Sequence, residues 1–243
     1  MRVQTYARIV GVVFIIAVIA GGIGEGYVPS LLTVSNDATA TANNLSGHDL
    51  LYRLGFAAYV VEAITDVALT FLLYVLLRPV HANLAFLAVL FRLMATATFS
   101  FAELFYFAPT LILGGDSYLK TFSPEQLHSL ALLSLNIYSL GGNLYNFHYG
   151  IGSIILGALM FQSGYIPRVL GGLWVLGGAG FLIATTAWIF APPAPFFFDV
   201  PQLLGLLALG LWLMMRGVDV SKWNEHWLAA PVAERPRAAG IVG

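Results

Sequence analysis

The sequence predicts an all-α polytopic membrane protein: a bundle of six transmembrane helices with both termini cytoplasmic. Three observations carry that prediction. Of 243 residues, 59% are hydrophobic and only 9% charged, against ~45–50% apolar and ~25% charged in a soluble globular domain. Six stretches are apolar and long enough to cross ~30 Å of hydrocarbon, which takes about 20 residues of internally bonded helix. The basic residues gather on one set of connections, as the positive-inside rule requires.

In chain order, the first stretch runs from about Tyr6 to Ile23. With Arg2 and Arg8 beside a short apolar run it has the look of a secretory signal, and it is read as a retained span. The second covers about Asp49 to Leu77 and the third about Asn83 to Leu113. Residues Pro124 to Gln162 would reach ~58 Å as one helix. They are read as a fourth helix ending near Phe161, amphipathic at its start (Leu127, Leu130, Ala131, Ser134) and bent at Gly141-Gly142. Splitting them would give seven spans and place Arg168, Arg216, Lys222, Arg235 and Arg237 opposite Arg2, Arg8 and Arg78, against the positive-inside rule. The fifth span is about Arg168 to Phe190 and the sixth about Asp199 to Met215.

Six spans leave only Arg53 and Lys120 among the Lys and Arg residues outside. The outer connections are a 25-to-48 loop rich in Ala, Thr and Asn, a Gly114 to Ser123 turn, and the Ala191-Pro192-Pro193-Ala194-Pro195 link beside Phe196-Phe197-Phe198. Residues 1–216 therefore form the membrane domain and 217–243 a cytoplasmic tail. Trp223 and Trp227 read as interfacial anchors in that tail, and Pro231, Pro236 and Gly240 as disorder. No internal repeat is evident, which weakens a standard secondary-transporter reading.

The absence of cysteine excludes disulfides, thiolate metal sites, iron–sulfur clusters and a cysteine nucleophile. A formal net charge of -1 argues against nucleic acid as a partner. The only lysines, Lys120 and Lys222, lie outside the spans, so a retinal Schiff base is excluded, and no second histidine faces His148 to clamp a haem. No cofactor is expected. No serine triad or phosphate-cradling loop is present, so an intramembrane hydrolase lacks its machinery.

Charged side chains inside a span cost at least ~2.5 kcal/mol each, so each needs a partner or a purpose. Glu62, Asp66, Arg92 and Glu103 are such residues, with His148 at mid-depth and Asn143 and Asn146 near it. Helical spacing puts Tyr59, Glu62, Asp66 and Thr70 on one face, and Arg92, Thr96, Ser100 and Glu103 on another. Ser139, Asn143, Asn146, Gly150 and Ser153 line a third, with His148 pointing away from it. Counting depth at 1.5 Å per residue brings Asp66 and Arg92 to the same inner layer, which predicts an ion pair. The pair suits helix glue, since desolvation offsets its attraction.

Three carboxylates against one guanidinium leave a surplus of negative charge. It is met by protonated carboxyls acting as hydrogen-bond donors, by a proton or cation relay through Glu103, Glu62, His148 and Asp66, or by a polar ligand pocket. A metal held by Glu62, Asp66 and His148 is a weaker alternative, because membrane zinc sites want three or more ligands at one point. Glu25, Asp49 and Arg53 form an outer cluster, either a cross-helix salt bridge between Glu25 and Arg53 or a clamp for a headgroup or substrate. The glycines at 21, 22, 24, 150, 152, 157, 171, 172, 177, 178 and 180 permit close helix packing, or self-association.

Several short runs, in order, resemble one family: Tyr6-Ala7-Arg8-Ile9-Val10-Gly11, the segment 37–44, Tyr52-Arg53-Leu54-Gly55, Asp66-Val67-Ala68-Leu69, the segment 74–80, Phe91-Arg92-Leu93, His148, and the segment 163–171. They are similar to bacterial integral membrane proteins grouped as domain-of-unknown-function family 4386. The similarity covers about Tyr6 to Met215. It implies a fold and a bacterial origin, hence the cytoplasmic membrane, and carries no activity.

The leading functional expectation is a polar intramembrane pocket that binds a lipid-like or small amphipathic molecule, with proton coupling as an added element. The alternative is an accessory subunit packed against a larger membrane complex. Expected partners are membrane lipid, and other membrane subunits or a second copy.

Overall fold

The structure, a computed structural model, describes residues 2–190 and 200–229. Helix α1 (Val3–Gly21) passes through a π-helical segment (Gly22–Tyr27) into α2 (Val28–Leu32). Then follow α3 (Ala38–Gly47), α4 (Asp49–Leu77), α5 (Ala82–Ile112), α6 (Pro124–Ser163), α7 (Arg168–Phe190), α8 (Val200–Met215) and α9 (Val220–Ala229), with a 3-10 turn at Ser117–Thr121 before α6. No strand occurs among the described residues. Val3–Leu32, α4, α5, α6 and α7 are each long and apolar enough to cross a membrane. The 16-residue α8 meets that measure only together with α9, from which it is bent by 98°. The chain therefore has five to six candidate spans.

The expected second and fifth spans coincide with α4 and α7. Pro124–Ser163 is one continuous helix. The beginning of the chain departs from expectation, because helix does not stop near Ile23 and the 25-to-48 region is largely helical rather than a loop. Local chemistry explains both differences. The π segment absorbs Gly22, Gly24 and Gly26 without interrupting the helix, and Pro29 sits in the first turn of α2, where its missing N–H costs nothing. Helix α3 begins because Asp37 caps it, accepting from the Ala40 amide at 2.8 Å. Asn36, with φ 61°, turns the chain into that cap. The Ala191–Pro195 link, the Phe196–Phe198 run and the tail beyond Ala229 lie outside the described residues.

The chain forms two compact units. The first comprises Met1–Val18, Thr65–Thr96 and Tyr145–Gly243. Its buried core joins Phe14, Leu73, Leu76, Leu159, Trp174 and Trp223 with their neighbours. Trp174 is anchored at both ends of its ring system: Nε1 donates to the Gly205 carbonyl at 3.0 Å and the ring meets Phe14 edge-on at 5.8 Å. Trp223, expected as an interfacial anchor, is buried in this core and stacks on the half-buried Trp227 at 5.0 Å.

Helices α6 and α7 touch backbone to backbone through two matched glycine pairs. A Cβ on Gly171 would lie 2.6 Å from the Gly157 carbonyl, and one on Gly150 would lie 2.8 Å from the Gly178 carbonyl. Both pairs repeat at seven residues on their helices, so one seam of small residues runs along the contact.

One end of the first unit is tied by long-range hydrogen bonds. Gln4 near the start of α1 donates to the Arg216 carbonyl at 2.6 Å and accepts from the Val218 amide at 3.1 Å. The Tyr165 hydroxyl, after α6, donates to the Leu76 carbonyl at 2.8 Å, and the Asp219 amide donates to the Tyr165 carbonyl at 3.1 Å. The start of α1, the end of α4, the α6–α7 turn and the α8–α9 corner thus meet at one end.

The second unit comprises Ile19–Ile64 and Ala97–Leu144. Gly24 and Gly55 let the first span and α4 approach, since a Cβ on Gly24 would lie 3.2 Å from the Gly55 carbonyl. Gly141 packs on Ala102 and Gly142 faces the Phe99 ring, so these glycines seat α6 against α5.

Candidate functional site

The polar residues expected at membrane depth fall into two centres, one in each unit. The first unit holds Asp66, Arg92, Asn146 and His148, and the second holds Glu25, Glu62, Glu103 and Asn143 together with Asp49 and Arg53.

In the first unit Asp66 of α4 and Arg92 of α5 form an ion pair, Nη2 to Oδ1. The other carboxylate oxygen accepts from the Thr96 hydroxyl. The guanidinium Nε donates to the Thr70 hydroxyl at 3.1 Å, and Thr70 donates in turn to the Asp66 carbonyl at 2.8 Å. The guanidinium carbon lies 4.6 Å from the centre of the Tyr149 ring, a cation–π distance. Arg92 is 1% exposed. Gly152 makes the space for it, because a Cβ there would lie 3.2 Å from Arg92 Cγ. Such a charge pair survives burial because most of its polar groups are answered: the Arg92 Nη1 makes no hydrogen bond, and the Tyr149 ring face lies beside the guanidinium. Its chemistry is that of a fastener between α4, α5 and α6. His148, next to Tyr149, is half-buried with its ring edge-on to Phe147, and Asn146 is half-buried two residues earlier.

The second unit holds acids and phenols. Tyr59 of α4 and Tyr138 of α6 hydrogen-bond hydroxyl to hydroxyl. Their rings join Tyr106 and Phe99 of α5, with Tyr59 4.9 Å from Tyr106 and 5.8 Å from Phe99. Glu103 of α5 is 5% exposed. Glu25, in the π segment, lies within electrostatic reach of Glu103, Tyr59 and Tyr138, and Glu62 within reach of Tyr138. The Glu62 carboxylate lies over Gly21, where a Cβ would come within 2.8 Å of Oε1. The Tyr52 hydroxyl donates to the Tyr106 carbonyl and closes one side of the aromatic group. Asn143 donates to the Ser139 carbonyl of its own helix at 3.2 Å.

In the outer cluster Arg53 pairs with Asp49 one turn earlier at 2.8 Å and lies 5.8 Å from the centre of the Phe107 ring. Asp49, Tyr52 and Arg53 line a cavity of about 230 Å³ with Leu45, Pro109 and Thr110. Among the described residues no three His, Asp or Glu side chains gather to hold a metal ion.

Tyr106, Tyr138 and Tyr149 were not singled out by sequence reasoning, since a lone tyrosine in an apolar helix is ordinary core. The available signal was spacing: Tyr106 follows Glu103 by three residues and so shares its face.

Residues 9–217 match the family described as "Domain of unknown function (DUF4386)", and the chain belongs to that family. A protein described as "Uncharacterized protein" from Archaeoglobus fulgidus is 32% identical over 120 residues, covering 49% of this chain. The match spans 58% of that relative's length. The relative is archaeal, so likeness to this chain extends beyond the bacteria named in the resemblance. No solved structure matches.

Proposed function

We propose that this member of the family is a multi-pass membrane protein that binds a lipid-like or small amphipathic molecule at the acid–tyrosine cluster of its second unit, exchanging protons there as it does so. The observation that carries the reading is Glu103, 5% exposed on α5 three residues before Tyr106 and within electrostatic reach of Glu25. A buried acid with a second acid in reach is relieved by a proton or by a cationic partner. Phenol rings offer such a partner an amphipathic wall with polar tips. The Asp66–Arg92 centre is assigned the structural part, because its two charges are paired with each other.

The test is chemical analysis of what co-purifies with the full chain. Wild-type protein in mild detergent is expected to carry one discrete amphipathic compound near one-to-one stoichiometry, depleted in Glu62→Gln and Glu103→Gln. An identical bulk-lipid profile in all three proteins would overturn the reading. Co-purifying protein subunits in fixed ratio, with no small molecule, would replace it with the accessory-subunit role.

A further inference from the structure

The tied end of the first unit carries a feature outside the acid–tyrosine cluster. At the corner where α8 gives way to α9, residues Tyr165, Pro167, Trp212, Arg216 and Asp219 line a cavity of about 290 Å³, close to the small end of ligand-binding clefts at ~300–1,000 Å³. We propose that this corner is a binding site for the headgroup of an anionic phospholipid.

Four observations support it. First, bases outnumber acids around the cavity, with Arg168, Arg216 and Lys222 against Asp219. Arg216 lines the cavity, and the Lys222 stem passes 3.6 Å from where a Cβ on Gly164, another lining residue, would stand. Arg168 follows the lining residue Pro167. Arg168, Arg216 and Lys222 are all exposed.

Second, the acid in the corner is engaged. Asp219 Oδ1 accepts from the Ser221 and Lys222 amides at 3.1 and 3.3 Å, capping α9. Its other oxygen forms an exposed ion pair with Lys222 Nζ at 3.9 Å, too long for a hydrogen bond. So loose and solvent-exposed a pair is worth little, and a stronger anion can take its place. Glu225, the other acid of α9, is exposed on the helix beyond the cap.

Third, the direction of α9 suits a bilayer surface. It leaves α8 at 98°, so if α8 crosses the membrane, α9 lies along it. Lys222, Asn224, Glu225 and His226 within ten residues bar α9 from hydrocarbon, whereas Trp223 is buried and Leu228 is 67% exposed. This is the pattern of an interfacial helix.

Fourth, Trp212, 38% exposed, stands beside Arg216 as an apolar wall for the first carbons of an acyl chain. A zwitterionic headgroup satisfies the cavity's shape but not its charge, which favours an anionic lipid. Lys and Arg near an anionic surface each contribute a factor of about five in affinity.

The experiment is native mass spectrometry of the full chain in detergent, with phosphatidylglycerol or phosphatidylcholine added at equal concentration. Wild-type protein is expected to retain phosphatidylglycerol several-fold better. Arg216→Gln with Lys222→Gln should lower that retention on the order of 25-fold, by the same per-residue factor. Lys120→Gln in the second unit should leave it unchanged, and Arg216→Lys with Lys222→Arg should keep it, which separates charge from misfolding. Excess inorganic phosphate should leave the lipid bound, because phosphate lacks the chains that lie on Trp212. Equal retention of the two lipids, an unaltered Gln double variant, or complete displacement by phosphate would each overturn the proposal.

Discussion

Asp66 and Arg92 join α4 to α5 through a buried ion pair whose further contacts are to Thr70, Thr96 and the face of Tyr149. A pair so enclosed leaves little capacity for a ligand, but removing either partner strands a charge.

Asp66→Ala is accordingly expected to cost about 3–5 kcal/mol, the usual penalty for leaving one buried charge without its partner. The loss should appear as a lower melting temperature and folded yield in detergent. Adding Arg92→Leu should recover much of it, and the double-mutant cycle isolates the coupling. An unaffected single variant would reject the pair as a fastener.

The α6–α7 seam gives a contrast between two adjacent glycines. Gly171→Ala drives a methyl to within 2.6 Å of the Gly157 carbonyl and 2.7 Å of the Phe161 amide, and should cost about 1–3 kcal/mol as overpacking. Gly172→Ala meets nothing within 4 Å and should be neutral or slightly stabilising, since alanine has the higher helix propensity. Thermal melting of both variants reads the difference.

The two capping aspartates should behave alike. Asp37→Ala removes the bond to the Ala40 amide, and Asp219→Ala removes those to the first amides of α9. Each should cost about 1 kcal/mol, localised to α3 or α9. Hydrogen exchange should quicken in the affected helix and leave α4 and α7 unaltered.

What the sequence revealed and what it hid follow from the range of each interaction. Periodicity and hydropathy are local, so α4 and α7 could be bounded from the sequence, and depth counting along two straight helices was enough to pair Asp66 with Arg92. Glu25 lies in a π segment that carries the first span onward from Gly22, and hydropathy has no signature for that. Helix α3 was hidden because its apolar residues are three alanines and a single leucine, and its start rests on one side-chain cap at Asp37. The Tyr59–Tyr138 bond joins residues 79 apart in sequence, and no local pattern encodes it. The division of the polar residues into a satisfied ion pair and an acid–phenol cluster is likewise a product of packing.

The central claim is that Glu103, among the tyrosines of the second unit, exchanges a proton. Infrared difference spectroscopy of the full chain across a pH step reads this directly, through the carbonyl stretch of a protonated carboxyl. The account predicts a band that is lost in Glu103→Gln, shifted in Tyr138→Phe, and unchanged in Arg53→Gln. A Glu103→Gln spectrum superimposable on that of the wild type would contradict it.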